Sequence, residues 1–378
     1  MHETIATNFN QLINTATNEF PGAAAEIRKA WSANCAAYIK AYLGVIYLYF
    51  LKIDLSRKYV FQTFRNKEII ECLNAGEVVI LGGRKDFYAC RNNNYKFIWT
   101  GGIMAAIIIA ARTGHTLPLR AQLHLVEKTL GGSKKYFFLY SDLTPIGIFF
   151  AIFANECLHV SACIQHGVPL IDDPWVDGLL CKYILLYKLA DKDIGGVNSI
   201  YLEVGLPFDV EIREGASSTI VLVGTGYSGA RPRFYRESLA CYQKIKSQLN
   251  ILAWRVVYRP HPCELPNDYL GYFSDVDTSP KATCLSGTRK IFIGYQSTLL
   301  YEAKALGHSV IALTNTSMGK LKSFTPNVEI AASDIRNIES NIIQLHSEMR
   351  NTPIRTSLSV RDRFLPILKE MESHNNRD

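Results

Sequence analysis

Apolar and polar positions follow two rhythms along this chain. Short apolar runs at 77–81, 96–99, 135–140, 160–164, 182–187 and 199–204 end in glycine or a polar turn, and a second series does so at 219–223, 255–258, 290–293 and 310–313. Runs this short, rich in Val, Ile, Phe and Tyr, predict strands buried on both faces of a parallel sheet. Segments with apolar spacing near 3.6 predict helices at 101–111, 145–159, 234–249, 298–307, 335–349 and 356–372. Residues 1–75 read as helical, with helices at 23–29 and 32–51 and a break at Pro21-Gly22. Strand and helix alternate in both halves, so each half predicts an α/β domain with a parallel sheet and helices on both faces. The polar, turn-rich stretch 208–217 marks the boundary, giving domains 1–208 and 209–378.

Chemistry-bearing residues fall at the carboxyl ends of these strands, where open α/β sheets collect ligands. Run 255–258 stops at Arg259-Pro260-His261-Pro262. Proline cannot donate to the ladder and holds the residue before it extended, so Arg259 and His261 occupy a stiff loop. After run 290–293 come Gly294-Tyr295-Gln296 and then Ser297-Thr298 at a helix start. Free N–H groups and a partial positive charge there favour phosphate. His261 offers a donor or a transferable proton, because imidazole titrates near neutrality. Glu302, four residues after Thr298, shares its helix face and suits both hydroxyls of a ribose. Gly224-Thr225-Gly226-Tyr227-Ser228-Gly229 resembles a phosphate-cradling loop but is neither a Walker A motif nor a strict GxGxxG. Singly, each has a blander reading: Ser297 and Thr298 as helix caps, His261 as a loop histidine. Together, on successive strand ends, they favour a site for a nucleoside mono- or diphosphate sugar.

In the first half, Asp142 follows a strand and precedes the Thr144-Pro145 helix start, which suits a catalytic carboxylate or a cap. Gln165 and His166 follow another strand, with Gly167 to turn the chain. The loop 171–178 holds Asp172, Asp173, Trp175 and Asp177, which can stack on and hydrogen-bond a sugar or form an ordinary surface turn. His115 and His124 read as structural or surface residues.

Composition narrows the classes. The 378 residues are 48% hydrophobic and 20% charged, as in ordinary globular chains of two domains. Net charge is +7, with basic residues scattered. With no zinc spacing and no RNA-binding motif, nucleic acid is not expected, whereas a phosphorylated substrate or an anionic membrane suits the charge. The nine cysteines include no CxxC pair, which fits reduced thiols in a cytoplasmic protein and gives no metal site. No signal peptide is evident, and the apolar stretch 36–53, with Lys40 and Lys52, is too short and polar to span a bilayer. Tyr38, Tyr42, Tyr47 and Tyr49 with Lys40, Lys52, Arg57 and Lys58 suit a basic face near a bilayer. The preferred reading is that they pack on the sheet and end in water.

RPHP at 259–262, QSTLLYEAKALGHSVIAL at 296–313, CIQHG at 163–167 and EVGLPFD at 203–209 resemble segments of bacterial CMP-sugar-dependent glycosyltransferases. These are the sialyltransferases and Kdo transferases of capsule, O-antigen and lipopolysaccharide assembly. The resemblance, over about residues 135–315, implies a GT-B-like architecture, two Rossmann-type parallel-sheet domains facing a central cleft. Domain 1–208 would bind the acceptor and 209–378 the nucleotide sugar. His261-Pro262 and Ser297-Thr298 would grip the cytidylate, with Gly224, Gly226, Arg259 and Glu302 beside them. Asp142 would be the base on the acceptor hydroxyl. Asp173 stands in reserve, because SDLTPIG places Gly147 later than the sialyltransferase acidic motif does. Gln165, His166 and Asp173 would edge the acceptor site.

The chemistry needs one base and charge stabilisation of departing phosphate, which helix-terminus donors supply without a divalent cation. Inverting, metal-independent transfer with no cofactor is therefore expected, the CMP-sugar being the donor substrate. Its partners would be that donor and a glycan or lipid-linked glycan, with peripheral contact at the inner membrane. A CDP-glycerol-type glycerophosphotransferase is a rival, though Gly294-Tyr295-Gln296 lacks the aspartate such proteins place before the serine pair. A UDP-sugar 2-epimerase would have paired glutamates where this chain has STLLYEA. A non-catalytic glycan-binding or assembly protein is the rival from another class.

Overall fold

The computed structural model describes residues 35–51, 57–130, 133–140, 145–165, 180–188, 199–226, 231–249, 254–295, 297–315, 324–354 and 358–375. The chain divides into two units, and each holds one all-parallel sheet, as the α/β expectation required.

In the first unit β1 (Tyr59–Phe61), β2 (Val78–Gly82), β3 (Lys96–Trp99), β4 (Tyr136–Leu139), β5 (Val160–Ile164), β6 (Tyr183–Leu186) and β7 (Ile200–Glu203) lie in the order β3-β2-β1-β4-β5-β6-β7. Strands β1, β2, β4, β5 and β6 are buried at every residue, which is why all of them except the three-residue β1 read as apolar runs. Helices α1 (Cys35–Phe50), α2 (Arg84–Asn92), α3 (Gly101–Thr113), α4 (Leu117–Leu130) and α5 (Pro145–Glu156) belong to this unit. Ile103, Ile107 and Phe150 of α3 and α5 pack with Val79 and Phe137 in one core. Helix α1 crosses α3 so closely that a Cβ on Gly102 would stand 2.4 Å from the Gly44 Cα. Its Tyr47 hydroxyl donates to Phe97 O and accepts from Trp99 N–H, both at 3.3 Å, which covers the open edge of β3.

Three expectations are corrected in this unit. Residues 57–75 are not simply helical, because Tyr59–Phe61 forms β1 inside the sheet, between β2 and β4. Three residues are too few to show a period, so only tertiary pairing reveals the strand. Tyr42 and Tyr49 do not pack on the sheet; both are exposed on the outer face of α1. The expected domain 209–378 also loses its end. Helix Val360–Asn375 returns to the first unit, and its Val360, Phe364, Ile367, Leu368 and Met371 close the sheet face formed by Ile80, Phe138 and Tyr183. Glu372 accepts from Lys58 Nζ at 2.6 Å and Tyr59 OH at 2.9 Å. Arg363 donates to the carbonyls of Val204 and Leu206, which pins the crossing strand of chain.

The second unit pairs β8 (Ile212–Val223), β9 (Arg255–Arg259), β10 (Gly287–Gly294), β11 (Ser309–Thr314) and β12 (Val328–Ala331) in the order β12-β11-β10-β8-β9. Strand β8 begins within the stretch expected to be turn-rich, and its register with β10 shifts near Arg289. Helices α6 (Pro232–Leu249), α7 (Thr298–Ala305) and α8 (Ile338–Asn351) belong to the same unit. Leu222, Tyr242, Tyr258, Ile293 and Ile342 meet in its core. Strand order reverses between β8 and β10, so the loops after these two strands flank the topological switch point.

The half-buried His159 and the buried His308 set an acid sensitivity. Burial pushes His159 down to about 4, with the Lys135 charge adding to it. Burial also pushes His308 down to about 4, only partly opposed by its bond to the Leu285 carbonyl. Both are neutral when folded and bind protons more tightly when unfolded, near 6.5. The unfolded state therefore takes up more protons, and unfolding free energy should fall as pH drops from about 6.5 to about 4. Urea unfolding at pH 7 and pH 4.5 reads this, and equal midpoints would contradict it.

Candidate functional site

The carboxyl edge of the second sheet gathers most of the residues singled out above. Strand β8 leads into Gly224-Thr225-Gly226, β9 into Pro260-His261-Pro262, and β10 through Tyr295 to Ser297 at the start of α7. The first loop packs directly on the second. A Cβ on Gly226, whose φ is +71°, would stand 2.5 Å from His261 Nδ1, and one on Gly224 would stand 2.7 Å from Glu264 Oε1. Only glycine allows that approach.

The same contacts correct the reading of Gly224 and Gly226 as an open phosphate nest. Gly224 N–H donates to Arg259 O at 2.8 Å, and Gly226 N–H to Glu264 Oε1 at 2.9 Å. Both amides are committed inside the protein. The glycines serve to seat the His261 loop.

His261 is half-buried, and burial pushes its pKa down despite the nearby Glu264. It is therefore neutral at neutral pH. Its Nδ1 lies 3.2 Å from the Cys263 N–H. A backbone amide can only donate, so Nδ1 is the acceptor and the ring proton sits on Nε2. The imidazole thus presents an N–H. Beside it Thr225 is buried, and among the described residues its hydroxyl meets no partner. Buried hydroxyls are normally satisfied, so this one keeps a hydrogen-bonding capacity that a water or a ligand oxygen reaching it would fill.

Ser297 caps α7, its Oγ accepting from Leu299 N–H at 3.3 Å, and Thr298 is the first helical residue. The helix start therefore stands beside the switch point. Arg259 is turned away from a ligand role. Its guanidinium pairs with Asp277 at 3.1 Å and donates to the Ser279 carbonyl at 2.9 Å, holding the 277–279 loop. Burial would raise Asp277, but bonds from Ser279 and Cys284 and the Arg259 charge together hold it down. Glu302 is also committed. It is 1% exposed and pairs with Lys281 Nζ at 2.7 Å. Burial pushes its carboxyl up against the pull of Lys281. A ribose would find almost none of it. What faces outward is the half-exposed Lys281, whose ammonium also lies 4.5 Å from the Phe208 ring centroid.

In the first unit Gln165 follows β5, but it is buried. Its Oε1 accepts from Tyr187 N–H at 2.7 Å, just past β6. Gln62 does the same for Tyr140 N–H past β4, at 2.8 Å. These glutamines extend the ladder beyond the strand ends. Asp142, His166 and Asp173 lie outside the described residues. Among the described residues no group of three or more His, Cys, Asp or Glu side chains is placed to hold a metal ion.

Thr225, Glu264 and Lys281 are the residues that sequence reasoning missed. Glu264 sits three residues after His261, a spacing that was visible. Nothing local marks Lys281, which reaches Glu302 only through tertiary packing.

No protein-family profile and no curated protein matches the chain. It is similar to a glycosyltransferase from Rickettsia africae ESF-5, known from its crystal structure, at 10% identity and a TM-score of 0.44, over 84% of this chain and 94% of that one.

Proposed function

We propose that the second unit binds a nucleotide sugar at the β8/β10 switch point, and that the protein is an inverting, metal-independent glycosyltransferase. The donor is a CMP-linked sialic acid or Kdo-type sugar, and the acceptor a hydroxyl of a bacterial surface glycan. One observation carries this reading. The His261 N–H, the unpartnered Thr225 hydroxyl and the start of α7 converge on the sheet edge where doubly wound folds take ligands. All are donors suited to phosphate oxygens. The likeness of the RPHP and QSTLLYEAKALG segments to CMP-sugar transferases favours cytidylate.

In this mechanism the acceptor oxygen attacks the anomeric carbon as the bond to the phosphate oxygen breaks. The His261 Nε2–H and Thr225 hydroxyl donate to the departing phosphate, and Lys281 adds positive charge. A neutral imidazole is a weak acid, so His261 acts first as a hydrogen-bond donor. Asp142 takes the acceptor proton, with Asp173 in reserve.

CMP should raise the melting temperature, and CDP or UDP should raise it less. Ligand at a hundredfold excess over Kd is worth about 2.7 kcal/mol. CMP release from CMP-Kdo or CMP-sialic acid with a lipid-linked acceptor should survive EDTA. Stabilisation by UDP but not CMP, or activity lost to EDTA and restored by magnesium, would overturn the reading.

A further inference from the structure

One face of the first unit has the make-up of a membrane contact. On α1, Ala37, Ala41, Gly44 and Leu48 are buried. The other face carries Ile39, Tyr42, Leu43, Ile46, Tyr49 and Phe50, spaced i, i+3, i+4 and i+7, with exposure from 45% at Tyr42 to 74% at Phe50. A continuous apolar stripe facing water marks an interaction surface.

The charges around it indicate the partner. Helix α1 contains Lys40 and no acidic residue. Tyr47 ties α1 to β3, and the Phe97 ring of β3 meets Phe87 of α2 at 5.5 Å. There Phe87 and Tyr88 are exposed among Arg84, Lys85 and Arg91, with the Arg84 guanidinium 5.7 Å from the Tyr88 ring centroid. The acid on α2, Asp86, is turned inward. Its carboxylate accepts from Thr63 Oγ1 at 2.8 Å, Phe64 N–H at 2.9 Å and Gly83 N–H at 3.0 Å. Aliphatic and aromatic side chains bordered by cations complement an anionic bilayer, with the rings at the headgroup level. A second copy of the chain would bring like charges together across a two-fold axis, which disfavours self-association. The helix has 16 residues, and no described helix is long and apolar enough to cross a membrane. It would therefore lie on the surface.

We propose that the outer face of α1, with the exposed aromatic end of α2, docks this protein on an anionic lipid surface. The proposal stands whether or not the second unit takes a nucleotide. Co-sedimentation of the full chain with phosphatidylcholine vesicles, with and without phosphatidylglycerol, tests it. Binding should need phosphatidylglycerol and weaken with salt. The double variant Leu43→Glu/Ile46→Glu should lower partitioning on the order of tenfold or more, since two apolar side chains no longer enter the lipid. Its melting temperature should match the wild type, because both positions are exposed. The triple variant Arg84→Ala/Lys85→Ala/Arg91→Ala should flatten the salt dependence. No binding by the wild type, or equal binding by the double variant, would overturn the proposal. So would a dimer that the double variant dissolves, or a drop in its melting temperature showing that the stripe packs within the chain.

Discussion

His261→Ala is expected to lower kcat for sugar transfer about 10²- to 10⁴-fold, the range for losing a positioned proton donor or acceptor. In the proposed reaction the effect should fall on kcat more than on CMP binding, because the negative charge that the Nε2–H would meet grows as a sugar–phosphate bond breaks. Folding should change little. The ring is half-buried and accepts one bond, from the Cys263 N–H. His261→Gln is the informative partner. Its terminal NH2 can reach toward the place of Nε2, so it should recover part of the lost rate. Single-turnover assays on both variants separate chemistry from binding. Alanine turnover close to wild type would move the reaction away from this loop.

The sequence showed this loop clearly and much of its surroundings poorly. Runs 96–99 and 160–164 coincide with β3 and β5, and β5, buried at every residue, leaves the continuous apolar tract of a strand covered on both faces. Prolines at 260 and 262 marked the end of β9, since they cannot continue a ladder. By contrast α2 and α4 went unread. Helix α2, RKDFYACRN, buries only Cys90 and is polar over most of its nine residues, so no apolar run marks it. The return of the last helix to the first sheet is set by where its apolar face packs, which no local signal in the sequence marks. Side-chain commitments were equally hidden. Arg259 and Glu302 look like ligand groups in sequence, yet each is engaged by a charge 18 to 21 residues away, Asp277 and Lys281 respectively. A motif gives the position of a side chain on its element, whereas its free hydrogen-bonding capacity depends on what the fold brings against it.

The largest stability loss at the site is expected from Glu264→Ala. Glu264 is 7% exposed, and its two oxygens take the Gly226 N–H at 2.9 Å and the Tyr258 hydroxyl at 2.7 Å. Burial, then the Glu264 charge, push the Tyr258 phenol far up, so it stays protonated and donates. The Tyr258 ring is fixed in turn by stacking on Phe273 at 4.5 Å between centroids. Alanine removes the acceptor from two groups at once. Each buried donor left unmade costs about 1–3 kcal/mol, so a loss of about 3 kcal/mol is expected in urea unfolding. Glu264→Gln should lose less, because its carbonyl still accepts from Gly226 and the Tyr258 hydroxyl can rotate to accept from the amide. Glu264 also holds the Gly226 turn against the His261 ring. The alanine variant should therefore lose stabilisation by CMP even at temperatures where it remains folded. Wild-type stability in the alanine variant would show that the carboxylate is not what joins the two loops, and retained CMP stabilisation would show that the His261 loop keeps its place without it.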